Sequence, residues 1–139
     1  MNTDYKYKEL TDKIIQGFYE VYNELGCGFL EFVYEKSLAL VLIKYGLNVK
    51  TQENIDVFFR KQLVGEFRAD MIINDRVILE LKAVRTLLSE HEAQIINYLK
   101  ATKYEIGLLL NFGSKPQIKR FIFDNERKTA TNQHRKINR

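Results

Sequence analysis

The chain has almost no cysteine, no long apolar run and no proline- or glycine-rich linker, and each shortage removes a class of protein. A single cysteine, Cys27, among 139 residues excludes an internal disulfide framework and a thiolate zinc cluster. The longest apolar run, Leu38 to Ile43, is far shorter than the ~20 residues that span a bilayer. The opening Met-Asn-Thr-Asp-Tyr-Lys lacks the apolar stretch of a secretory signal. No internal repeat is visible. These shortages predict a soluble, cytoplasmic, single-domain protein with no membrane partner. What is present fits that class: 45% hydrophobic and 29% charged residues make a globular rather than a disordered chain. A chain of this length buries about two-thirds of its unfolded surface and needs no covalent staples.

The net charge of +4 is unevenly spread. From Lys115 onward eight Lys or Arg face two acids, a surplus of +6, and the remaining 14 basic and 16 acidic residues leave the body at −2. A basic end suits a polyanion such as nucleic acid, although basic tails often serve solubility alone. After Asp124 only Ala130 and Ile137 are apolar, so residues 1–123 read as one domain and 124–139 as a basic, flexible tail.

Leu10, Ile14, Ile15, Phe18, Val21, Tyr22 and Leu25 recur at helical spacing, and Gly26 and Gly28 stop the pattern. A second helix is predicted over Leu30 to Tyr45. Ile55 to Phe59, Leu63 to Ile73 and Val77 to Val84 read as strands, with Arg60-Lys61-Gln62 and Asn74-Asp75-Arg76 as the turns. Ser89-Glu90-His91-Glu92 fits a capping box with Ser89 as N-cap, opening a helix that reaches about Thr102. Tyr104 to Phe112 is an apolar central strand, and Gln117 to Phe123 a last one. The order α-α-β-β-β-α-β-β places the chain in the α/β (α+β) class: a mixed β-sheet with flanking helices.

Chemistry concentrates in Arg68-Ala69-Asp70-Met71-Ile72-Ile73 and Val77-Ile78-Leu79-Glu80-Leu81-Lys82. Alternation puts Ala69, Met71 and Ile73 on one face, and Val77, Leu79 and Leu81 likewise. A three-residue turn then sets Met71 opposite Leu79 and Asp70 opposite Glu80, with Lys82 two residues along on the same face. Two adjacent carboxylates repel unless a cation lies between them. Oxygen ligands suit Mg²⁺ or Mn²⁺, which can activate a water toward a phosphate. An ordinary solvent-facing Glu-Lys pair explains the same spacing equally well.

Two helical patterns add to the hairpin. Gly28-x-x-Glu31-x-x-Tyr34 sets a carboxylate at the head of a core-facing stripe, where it can reach a site at the sheet edge or simply favour the helix dipole. Gln94-x-x-x-Tyr98 puts an amide and a phenol on one helix face, with His91 before them; a half-buried face with polar tips is the plain alternative. His91, in the first turn, reads as surface. Cys27 reads as a small packed residue with no base to activate it.

In this order the pieces resemble the GxxExxY proteins, a branch of the PD-(D/E)XK nuclease superfamily with RecB-like motifs. Gly28, Glu31 and Tyr34 match the name pattern, Arg68 to Asp70 and Glu80 to Lys82 the acidic and lysine motifs, and Gln94 to Tyr98 the helical one. Ile106 to Gly113 looks like the family's next strand and turn, so the likeness spans roughly residues 10 to 123. Ala69 stands where the superfamily has its proline. The resemblance implies a restriction-endonuclease-like core in which Asp70, Glu80 and Glu31 hold Mg²⁺ (or Mn²⁺), Lys82 is the catalytic lysine, and Gln94 and Tyr98 position the phosphate or nucleophile. It implies a phosphodiesterase acting on nucleic acid, DNA ahead of RNA, with a homodimer compatible with so small a core. The competing expectations are a nucleic-acid-binding or regulatory module that keeps the fold without cutting, and a protein-interaction subunit whose polar face is structural.

Overall fold

The computed structural model describes residues 7–128. Two helices open the chain. Helix α1 (Lys8–Leu25) buries Ile14, Phe18 and Val21 and stops at Gly26, whose φ of 67° suits a residue without a Cβ and whose N–H reaches Tyr22 O. Helix α2 (Glu31–Lys44) buries Tyr34, Leu38 and Leu42, one stripe at spacing four. Five strands and a third helix follow: β1 (Val49–Phe59), β2 (Gln62–Ile73), β3 (Val77–Lys82), α3 (Ser89–Ala101), β4 (Ile106–Phe112) and β5 (Pro116–Ile122). The sheet order is β1-β2-β3-β4-β5. Every neighbouring pair is antiparallel except β3 and β4, which α3 joins as a parallel crossover. The predicted element order and mixed sheet are those observed.

Each face of the sheet has its own core. On one side Ile14, Phe18, Tyr34, Leu38 and Leu42 pack on Met71, Ile73, Leu79, Leu81, Leu108 and Leu110. On the other, Ile95, Tyr98 and Leu99 of α3 pack on Ile55, Ala69, Ile72 and Ile78. Covering both faces makes the central strands apolar throughout, and all seven residues of β4 are buried.

Several boundaries move for local reasons. Strand β1 starts at Val49, six residues ahead of the expected Ile55, because Lys50 to Asn54 form an edge with no apolar alternation yet still pair with β2. Gln62 belongs to β2 rather than the turn: Arg60 and Lys61 alone take φ of 50° and 67°, a two-residue connection closed by the Phe59–Gln62 pair. Leu88, not Ser89, is the N-cap of α3; its N–H donates to His91 Nδ1 at 3.0 Å and its carbonyl accepts the His91 N–H. Glu92, assigned to the box by sequence, pairs instead with Lys119 of β5. Residues 124–128 pack against the body: Asn125 N–H donates to Glu105, and the buried Lys128 Nζ donates to Thr102 O and Tyr104 O. The rest of the expected tail, 129–139, lies outside the described residues.

The chain leaving β3 is tied to the sheet by one buried amide. Asn111 Nδ2 donates to Val84 O and to Gln117, and Asn111 Oδ1 accepts the Val84 N–H. Asn111→Ala strips both half-buried Val84 backbone groups of partners, at up to about 1–3 kcal/mol each. Urea unfolding is expected to show a loss of at least about 2 kcal/mol at unchanged m; a loss below ~0.5 kcal/mol contradicts the clamp.

Candidate functional site

The β2–β3 connection sets the register that sequence predicts, with Ile73 paired to Val77 and Met71 to Leu79. There the main-chain ladder stops. Asp70 and Glu80 follow in register but do not continue it; Asp70 Oδ2 instead accepts the Leu81 N–H at 2.8 Å. On its other side the β1–β2 ladder also skips Asp70, passing from Thr51–Met71 to Glu53–Ala69 around Gln52, whose φ is 52°. This double break reverses the side-chain alternation. Ala69 packs on the α3 side while Met71 and Ile73 pack on the other, so the expectation that all three share a face fails at Asp70.

The break delivers Asp70 to the same place as Glu80. Glu80 is 3% exposed, and its Oε1 is buried with no hydrogen-bond partner. Burial first, and then the Asp70 charge, push the Glu80 carboxyl up to about 10, against a smaller downward pull from Lys82. Without a cation beside it, Glu80 is protonated at neutral pH. Lys82, half-buried at the end of β3, pairs in register with Asn111. From α3, Gln94 Nε2 donates to Tyr98 Oη at 2.8 Å, leaving the Tyr98 hydroxyl one proton to offer. Burial and the charges of Glu80 and Asp70 raise the Tyr98 pKa, against a smaller downward pull from the Gln94 hydrogen bond.

Glu31 lies in the opposite layer, within the electrostatic influence of Asp70 and Lys82, and the Gly28-Glu31-Tyr34 spacing explains its position. Gly28 takes φ of 112°, which turns the chain between α1 and α2. Tyr34, one helical turn into α2, donates its hydroxyl to Gly26 O at 2.6 Å, accepts the Phe29 N–H, and stacks on Phe112 with ring centroids 4.3 Å apart. The tyrosine bolts the turn to the core, and Glu31 is left as the first residue of the helix, facing outward. Its pKa is raised by partial loss of water and by Asp70 and Glu35, while Lys82 and His91 draw it down. Glu31 thus shares one electrostatic field with Asp70 and Lys82. Cys27, on the same turn, is exposed rather than packed, because the flanking glycines swing it outward. His91, expected at the surface, is half-buried.

Among the described residues no three His, Cys, Asp or Glu side chains form a ready-made metal cage. The Asp70–Glu80 pair fits a hard divalent cation nonetheless. Mg²⁺ is commonly held by one or two carboxylates, with water and substrate phosphate filling the other positions. An unpartnered buried carboxyl oxygen next to a second carboxylate is the feature such an ion satisfies. Asn111 had no assigned role in the sequence reading; its one signal was an amide inside the apolar run Leu108 to Phe112.

The sequence profile of the PD-(D/E)XK nuclease superfamily matches residues 8–121. The chain belongs to that superfamily. The fold is similar to that in the crystal structure of SSO0001, 21% identical, which superposes with a TM-score of 0.51 over 66% of this chain and 49% of that one. The likeness extends to the fold, and the chain spans about half the length of that protein. No curated protein matches the chain in sequence. Membership supports a nuclease-like function, and nucleases of this superfamily generally use divalent metals. No helix among the described residues is long and apolar enough to cross a membrane.

The buried Glu80 makes the metal-free PD-(D/E)XK fold sensitive to pH. Between its ordinary value of 4.5 and about 10 the folded chain keeps a proton that the unfolded chain has lost. The Glu80 contribution to stability is therefore full below pH 4.5 and falls as pH rises, by at most about 1.4 kcal/mol per pH unit. Melting temperatures in a chelator are expected to drop from pH 6 to pH 8 for wild type and to stay nearly level for Glu80→Gln. Equal slopes in the two proteins contradict the assignment.

Proposed function

We propose that this chain is a divalent-metal-dependent nuclease of the GxxExxY branch that hydrolyses phosphodiester bonds of DNA, or of RNA, at the Asp70–Glu80–Lys82 site. The observation that carries the reading is the buried Glu80 carboxyl, with one oxygen unpartnered, beside Asp70 on the sheet face that carries Lys82 and is covered by Gln94 and Tyr98 of α3. Apolar side chains or a neutral amide would serve a merely structural face at lower cost. Asp70, Glu80 and, from α2, Glu31 are the residues that would hold Mg²⁺ or Mn²⁺. When bound, such an ion polarises a phosphoryl oxygen and lowers the pKa of a water.

The remaining chemistry falls to the chain itself. The Leu81 N–H fixes the Asp70 carboxylate, so that it is oriented before any ligand arrives. Lys82 supplies a positive charge felt by Glu80 and Glu31, suited to orient the attacking water or to offset charge developing on the phosphate. Gln94 holds the Tyr98 hydroxyl, and the two offer an amide and a phenolic donor to a phosphate oxygen.

Cleavage of labelled single- and double-stranded DNA and RNA with Mg²⁺ or Mn²⁺ tests the reading, with wild type beside Asp70→Asn and Lys82→Ala. Asparagine keeps an acceptor for the Leu81 N–H, whereas alanine leaves it bare at about 1–3 kcal/mol. The expected result is metal-dependent cutting that falls at least about 100-fold in each variant at an unchanged circular dichroism spectrum. A wild type that binds but cuts none of these substrates, or an Asp70→Asn variant as fast as wild type, rejects the nuclease in favour of a non-cutting binding module.

A further inference from the structure

The β1–β2 hairpin overhangs the sheet. β3 pairs with β2 only from Met71 to Ile73, while β1 and β2 stay paired out to Phe59 and Gln62. The overhanging arm and helix α3 enclose a groove of about 470 Å³, in the range of small-molecule pockets. Its walls are apolar, with Val57 and Phe67 on the arm and Ala93 and Ala101 on α3. Phe67 is 48% exposed, and its ring lies 6.0 Å from that of Tyr98, which forms the floor. The rim is polar: Glu90, Gln94 and Asn97 line it with carboxylate and amide groups.

The groove is continuous with the candidate site, since Gln94 and Tyr98 belong to both. From this continuity and its lining we propose that the groove is a subsite for an unpaired nucleobase, one that flanks the phosphate held at Asp70 and Glu80. The half-exposed Phe67 ring offers a stacking face, which every base can use. The amides of Gln94 and Asn97 and the Glu90 carboxylate match the donors and acceptors on a base edge. A base inside a duplex is stacked and paired and cannot enter. The inference rests on the nuclease reading and narrows its substrate to strands that are single, frayed or flapped near the cut.

Fluorescence anisotropy in a chelator, where no cutting occurs, tests the subsite on the whole chain. The probes are a labelled single-stranded oligodeoxynucleotide, the same backbone with abasic positions throughout, and the matching duplex. Wild type is expected to bind the base-bearing strand roughly 5- to 100-fold tighter than the abasic one, the range for one stacked base. Phe67→Leu keeps apolar packing but removes the ring face, and should erase that ratio while leaving abasic affinity and melting temperature unchanged. Phe67→Trp should restore the ratio. Equal binding of the two strands by wild type, no binding of either, or an undiminished ratio in Phe67→Leu overturns the subsite. Cutting by wild type without any base preference removes the subsite and leaves the nuclease standing. A base preference without cutting removes the nuclease and leaves the subsite.

Discussion

Glu80 and Asp70 lie side by side on a sheet face from which α3 has removed most of the water, and two carboxylates in that position repel each other. The chain tolerates them by keeping a proton on Glu80 and by giving Asp70 the Leu81 N–H. Both devices have consequences beyond the pair. One Glu80 carboxyl oxygen is buried without a hydrogen-bond partner, a feature that a cation satisfies. The Leu81 bond takes the place of a ladder bond, so β2 and β3 separate just where the acids are needed.

The rest of the fold supports that separation. Strands cannot simply part inside a buried sheet, because freed backbone groups must find partners. Gln52 loops out of β1 to accommodate the skipped position, Asp70 supplies a side-chain acceptor, and Asn111 recovers the backbone of Val84 beyond the end of β3. Tyr34 performs the matching task on the helical side, fastening the Gly26–Phe29 turn so that Glu31 starts α2 within the field of Lys82. The site is therefore assembled from three element ends, each held by a hydrogen bond that helix or sheet geometry alone does not provide.

This division explains what could be read from sequence. The pairing of Met71 with Leu79 was legible because strand period and turn length depend on neighbours only. The shared face of Glu80 and Lys82 on β3 was legible for the same reason, and the helix boundary at Gly26 and Gly28 because glycine signals it directly. The reversal of alternation at Asp70 was not, since it depends on Gln52, a residue of another strand with no special local signature. The capping of α3 by His91 was hidden because Ser89 presents the better N-cap by type, and tertiary contact of Glu92 with Lys119 overrides it. The six residues at the start of β1 were hidden because their strand character comes from β2, not from their own pattern.

The central claim is that Glu80 is a protonated carboxyl waiting beside Asp70 for a cation. Isothermal titration of Mn²⁺ into metal-free protein at pH 7, repeated in buffers of different ionisation enthalpy, measures this most directly. The account predicts saturable binding whose heat shifts with the buffer by an amount equal to about one proton released per ion, with that release lost in Glu80→Gln. Mn²⁺ binding without proton release, or no binding at all, contradicts it.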